Sequence, residues 1–82
     1  MRRGKPLLPL PTDVYIHPMI RWIHEQVMER KITYEKLSEM SGIGANTIRK
    51  WRNNDSSPKV ADIEAVINTL GGSIVIVRVE AR

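Results

Sequence analysis

Residues 33–71 read TYEKLSEMSGIGANTIRKWRNNDSSPKVADIEAVINTLG and carry the clearest signals of local structure in the chain. Thr33 is a good N-cap residue, so a helix is predicted to begin directly after it. Gly42 suits the left-handed backbone with which helices often end. After a short turn, a second helix is predicted from Ala45 to Asn53. The stretch therefore predicts two short helices joined by a tight turn.

The same stretch supplies the side chains that two crossing helices need. Ser38 is small and lies where the helices would cross, and Ile43 is placed to fill the corner between them. The apolar residues predicted to face the core are Leu37 and Met40 on the first helix, and Ile48 and Trp51 on the second.

With Ile48 and Trp51 turned inward, the opposite arc of the second helix carries amide and basic groups and no acid. Its members are Asn46, Arg49, Lys50 and Asn53. Arginine can fork onto guanine and asparagine can pair with adenine in the major groove of DNA, and the small Ala45 lets the helix approach the bases. Lys50, Arg52 and Lys59 are placed for phosphates. A solvated polar face is the alternative interpretation.

Residues 33–71 resemble the Cro and phage-repressor type of helix-turn-helix domain, which is also called XRE-like. The matching pieces are TYEKLSEMSGIG, NTIRKWRNN and SSPKVADIEAVINTLG. The resemblance implies a bundle of four or five helices that binds a near-palindromic operator as a dimer. It assigns a role facing the bases or the groove to Ala45, Asn46, Arg49, Lys50 and Asn53, and a role in contacting the DNA backbone to Tyr34 and Thr47.

The chain departs from the usual pattern of that family at three positions. Tyr34 stands where glutamine is common, and Lys31 replaces a frequent glycine before the first helix of the motif. Gly44 stands where the N-cap of the recognition helix is usually Ser or Thr, so that cap is predicted to be weaker.

Helical spacing predicts two further helices. One runs from Pro18 to about Lys31, with Ile20, Ile23 and Val27 in its apolar stripe. The other opens with Ser57 as N-cap and Pro58 at the first helical position. Its predicted apolar residues are Val60, Ile63, Val66, Ile67 and Leu70, and it ends at Gly71-Gly72.

The tail changes to a dense β-branched run, Ile74 to Val79, which predicts a C-terminal β-strand. Only residues 14–16 could pair with it inside the chain, so a homodimer through residues 73–79 is predicted. The predicted fold class is mainly α: a compact four- to five-helix repressor-like domain with this strand. The predicted division is a basic, Pro-rich arm over 1–17, a DNA-binding domain over 18–72 and a dimerisation strand over 73–82.

The N-terminal arm is basic and rich in proline. Arg2, Arg3 and Lys5 allow two interpretations, a frayed soluble terminus or an arm that enters the minor groove of DNA. Leu7, Leu8 and Leu10 could still dock onto a core.

The net charge of +4 and the sequence pI of about 9.9 favour a polyanionic partner. There are no cysteines, and no metal ligands lie at ligand spacing around His17 or His24, so neither a metal nor a cofactor is predicted and each histidine is expected to be a surface or packing residue. No apolar run is long enough for a membrane span and no apolar signal core follows the first arginines, which predicts a cytoplasmic protein without a membrane role.

Three classes of function are weighed against one another. The leading prediction is a sequence-specific transcriptional regulator, a repressor of phage or mobile-element type that binds double-stranded DNA. The second is the antitoxin of a toxin–antitoxin pair, whose protein partner would bind residues 1–17. The third is a protein-interaction module that has lost DNA binding. The acidic pairs Glu25/Glu29 and Asp62/Glu64 lack a nucleophile or a base nearby, so no enzymatic activity is predicted.

Overall fold

The computed structural model describes residues 7–80, and four α-helices account for the regular structure in that range. They are α1 (Pro18–Arg30), α2 (Tyr34–Ser41), α3 (Ala45–Arg52) and α4 (Val60–Thr69). The predicted mainly α class is confirmed, and of the four to five helices predicted, the structure shows four in residues 7–80. α1 and α3 each end one residue earlier than predicted, a difference within the usual fraying of helix ends.

The turn between α2 and α3 is built as the sequence predicts. The Thr33 hydroxyl accepts a hydrogen bond from the Lys36 backbone N–H at 2.9 Å and so caps α2. Gly42 ends α2 with φ +82°, a left-handed conformation in which a side chain would be strained. Gly44 precedes α3 without a side-chain cap, as the weaker cap predicted.

The predicted start of α4 is wrong. Lys59, not Ser57, is the residue before the helix, and it makes no side-chain cap. Its extended backbone (φ −74°, ψ 148°) delays the helix beyond Pro58, and its carbonyl accepts the first helical hydrogen bonds. Val60 consequently lies in an exposed first turn, 74% accessible to solvent, instead of in the core.

One continuous core holds the helices together. Its buried apolar members are Ile16, Ile20, Ile23, Val27, Tyr34, Leu37, Ile48, Trp51, Ile63, Val66, Ile67 and Leu70. Met40, predicted to be buried, is 44% exposed because it lies in the last turn of α2, beyond the edge of this core. Trp51 is 2% exposed and is the largest side chain that the core encloses.

The part of the N-terminal arm that the structure describes, residues 7–17, packs against the domain. Arg21 on α1 donates to the carbonyls of Pro11 and Val14, and Asn54 donates to the Tyr15 carbonyl at 2.9 Å. Leu7 and Leu10 lie against the core, whereas Leu8 is exposed. The Arg21 guanidinium thus ties the arm to α1.

The predicted C-terminal β-strand is not found: residues 72–80 form no regular secondary structure, and no strand occurs anywhere in residues 7–80. A strand needs a partner for its backbone groups, and the predicted candidate, residues 14–16, is engaged elsewhere. Ile16 is in the core and the Tyr15 carbonyl accepts from Asn54.

The chain leaves α4 along the surface of α1. A Cβ at Gly72 would stand 2.8 Å from the Trp22 ring, so this close approach requires glycine. Ile74 then packs against the core, and beyond it the apolar side chains turn outward. Within the part of the chain that the structure describes, no helix has the length and apolar character needed to cross a membrane.

The burial of Trp51 yields a test of the core. We expect Trp51→Ala to lower the free energy of unfolding by about 3–5 kcal/mol, because a large cavity opens beneath α3, and that is most of the stability of a small domain. Urea denaturation followed by circular dichroism measures it. The matched control is Val60→Ala at an exposed position, expected to change the value by less than about 0.5 kcal/mol. A cooperative Trp51→Ala transition at the parent midpoint would contradict this core.

Candidate nucleic-acid interface

The two sides of α3 differ sharply. Ile48 and Trp51 are each 2% exposed and fix the inner side of the helix against the core. The side chains of Asn46, Thr47, Lys50 and Asn53 are exposed, and those of Ala45, Arg49 and Arg52 are half-buried at the border. The predicted inner and outer arcs of α3 therefore agree with the structure, except that Arg49, predicted on the outward arc, is half-buried at its border.

The last turn of α3 is strongly basic, with Arg49, Lys50 and Arg52 and no acidic residue in the helix itself. Cations near a helix C-terminus interact favourably with its dipole, which gives these residues a structural role as well. Arg52 also donates through Nε to the Asn53 side chain at 3.3 Å. Lys59 is exposed on the segment after the turn that follows α3.

An acidic residue from the neighbouring helix enters this basic surface. Glu35, in the first turn of α2, forms an ion pair with the Arg49 guanidinium. The hydrogen bond from Arg49 lowers the pKa of the Glu35 carboxyl below its usual value. The sequence did not predict this contact, because Glu35 is on a different helix, 14 residues from Arg49. Only the packing of α2 on α3 could have indicated it.

Arg49 is held from a second side by Asn46. Its Nη1 donates to the Asn46 Oδ1 at 3.2 Å, a contact between residues one helical turn apart. Both terminal nitrogens of the guanidinium therefore have a partner, one on α2 and one on α3. The structure thus links three polar side chains, Glu35, Arg49 and Asn46, into one connected group.

Tyr34 was predicted to contact the DNA backbone, and that role stays a prediction, but the structure encloses its side chain in the core. The side chain is 3% exposed, and its hydroxyl lies 2.6 Å from Nδ1 of His24. His24 must donate from Nε2 to the Leu8 carbonyl, 2.7 Å away, so its Nδ1 accepts from the tyrosine hydroxyl. The phenol is thus buried and hydrogen-bonded to His24 of α1, which packs against the start of α2.

The Tyr34 ring lies close to two of the basic side chains of α3. The guanidinium carbons of Arg52 and Arg49 lie 5.2 and 5.8 Å from the ring centre, within the range of a cation–π interaction. Burial raises the pKa of the Tyr34 hydroxyl, and the two arginines oppose that rise without cancelling it.

The structure brings together most of the predicted site residues but not all of them. Asn46, Lys50 and Asn53 share the exposed face, with Thr47 beside them near the start of α3. Lys59 is exposed at the N-cap of α4, and Arg2, Arg3 and Lys5 fall outside the described residues. No three His, Asp or Glu side chains within residues 7–80 are grouped as a metal site requires.

This geometry, with two short helices, a glycine turn and an outward polar face, has a counterpart among known proteins. A family model described as helix-turn-helix matches residues 23–77, more than half of the chain. The chain belongs to this helix-turn-helix family, in its Cro and phage-repressor, XRE-like form. Neither a curated protein nor a solved structure matches the chain.

Members of this helix-turn-helix family are DNA-binding transcription regulators, and they are typically not enzymes. The match begins within α1 and continues past α4, so it covers the motif and the helices that support it. In a helix-turn-helix domain the second helix of the motif enters the major groove. In this chain that helix is α3.

The buried Tyr34 predicts how the helix-turn-helix domain responds to alkali. The pKa of the Tyr34 hydroxyl in the folded protein lies above its ordinary value of 10.0. The neutral phenol therefore contributes its full stabilisation below about pH 10, and this stabilisation is lost as the pH rises through the folded-state pKa. We expect the free energy of unfolding to fall more steeply with pH, above about pH 10, in the parent than in Tyr34→Phe.

Urea titrations at several pH values measure the two slopes. Tyr34→Phe is expected to be less stable at neutral pH, because His24 loses its hydrogen-bond donor, but flatter in alkali. Equal slopes for the two proteins would mean that the phenol is not buried.

Proposed function

We propose that this chain regulates transcription by reading a near-palindromic operator in double-stranded DNA, as a dimer, in the manner of a phage-type repressor. The observation that carries the proposal is the exposed face of α3. Asn46, Lys50 and Asn53 point to solvent there while Ile48 and Trp51 hold the opposite side in the core. The helix is thus fixed in rotation with its amide and basic groups outward.

The chemistry of this face suits the major groove. Asparagine carries a donor and an acceptor that match the edge of adenine, and a lysine can donate to guanine or to a phosphate. The net charge of +4 supports attraction to a polyanion. The ion pair with Glu35 reduces the free positive charge, which favours sequence reading over indiscriminate phosphate binding.

Selection of bound duplexes from a random pool at about physiological salt tests the proposal. We expect enrichment of two related half-sites whose centres lie about one helical turn apart, since two recognition helices of a dimer are spaced in that way. A pool that stays random would contradict sequence-specific recognition.

Two substitutions separate base reading from phosphate binding. We expect Arg49→Ala to cost on the order of 1–3 kcal/mol of binding free energy and to relax one base position. Lys50→Ala is expected to weaken all sequences alike and to reduce the salt dependence by about one unit. Fluorescence anisotropy with selected and scrambled duplexes measures both effects. An Arg49→Ala protein with the parent affinity and the parent selected sequence would refute this placement of the reading face.

The proposed dimer interface is residues 73–79. The apolar side chains of Val75, Ile76, Val77 and Val79 are 71–94% exposed, an unusual density for one short segment. Their backbone groups have no partner strand in residues 7–80. The same segment of a second copy could pair with them about a two-fold axis, burying the side chains and satisfying both edges. Ile74 anchors the segment to the domain and so ties the two reading helices to a defined spacing.

A charged substitution within residues 73–79 tests whether this segment forms the dimer interface. We expect Val77→Asp to be monomeric at micromolar concentration, because a two-fold interface would bring two carboxylates into an apolar contact. Val60→Asp is the matched control, since Val60 and Val77 are 74% and 73% exposed. Sedimentation velocity measures the state of each protein. A dimeric Val77→Asp would move the interface to another surface.

A further inference from the structure

Arg49 has less freedom than its position on the exposed arc of α3 suggests. Its side chain is 35% exposed, whereas that of its partner Glu35 is 63% exposed. The carboxylate of Glu35 binds Nη2 and the amide oxygen of Asn46 binds Nη1. Because both terminal nitrogens are bonded, the orientation of the Arg49 guanidinium is fixed, and one of its two partners, Glu35, lies outside α3.

The same contacts set the orientation of the Asn46 amide. Because Oδ1 accepts from Arg49, the amide is turned with its oxygen toward Arg49 and its Nδ2 donor away from it. Asn46 is exposed, so this amine is available to a ligand. A donor in the major groove pairs with an acceptor, namely a purine N7, a guanine O6 or a thymine O4.

We propose that Glu35 is a specificity-determining positioning residue for DNA: it orients Arg49 and, through Arg49, the Asn46 amide that faces the bases. This inference rests on the proposed function of α3. Glu35 need not touch a base, because it acts through the Arg49 guanidinium. Its charge also opposes the phosphates, so it lowers the affinity for unrelated DNA while it sharpens the reading of the correct sequence.

The chain offers a matched control for the charge effect. Glu39 lies on the same helix, is exposed, and forms an ion pair with Lys36 at 3.8 Å. Replacing either glutamate by alanine raises the net charge by one, but only the change at Glu35 releases Arg49. Charge and positioning are therefore separable by comparing the two variants.

The experiment measures the affinities of Glu35→Ala and Glu39→Ala for a selected duplex and for a scrambled one. Both variants should bind the scrambled duplex more tightly, because one repulsive charge is gone. The ratio of selected to scrambled affinity should fall about tenfold in Glu35→Ala, the scale of one well-positioned base contact, and stay within about twofold of the parent in Glu39→Ala. Thermal unfolding of both variants verifies that they remain folded.

The effect must also vanish when Arg49 is absent. In an Arg49→Ala background, Glu35→Ala should leave the affinity ratio unchanged, since the residue through which it acts is gone. Equal ratios for Glu35→Ala and Glu39→Ala, or a full tenfold fall in the Arg49→Ala background, would overturn the role of Glu35. A parent protein that fails to prefer any duplex would instead overturn the proposed function, and this inference with it.

Discussion

Burial of Trp51 and Ile48 in the core positions the recognition helix α3 and, through it, the face proposed to read DNA. α3 is only eight residues long, and by itself such a helix would be marginal in water. Packing of these two side chains against the core supplies its stability and also fixes its rotation. This rotation places Asn46, Lys50 and Asn53 on the side of α3 that faces solvent. Stability and the orientation of the reading face therefore have the same physical origin.

A hydrogen-bonded chain connects the arm to the recognition helix. The Leu8 carbonyl binds His24, His24 accepts from Tyr34, and the Tyr34 ring lies beneath Arg49 and Arg52. Each buried side-chain nitrogen or oxygen in this hydrogen-bonded series has a hydrogen-bond partner, because an unpaired polar atom is costly in low-dielectric surroundings. The arrangement explains why a tyrosine can occupy the first position of α2: its buried ring lies within cation–π range of Arg49 and Arg52.

Local rules account for what could be predicted from the sequence. Thr33, Gly42 and the spacing of Ile48 and Trp51 each predict a feature that adjacent residues determine, and the structure contains each one. The start of α4 was misplaced because an N-cap rule applied to Ser57 and Pro58 ignores the extended backbone of Lys59. Residues 74–79 have the composition of a strand, yet composition cannot provide a pairing partner. The Glu35–Arg49 ion pair and the inward direction of Tyr34 depend on contacts between helices, for which no periodicity within one helix carries a signal.

We propose that α3 enters the major groove with its exposed face toward the bases. Mapping backbone amide chemical shifts by NMR, as the selected duplex is added to labelled protein, tests it most directly. If α3 enters the groove, the largest changes should fall in residues 45–53, with smaller changes at the start of α2. Changes concentrated on α4 or on residues 74–79, with α3 unaffected, would contradict it.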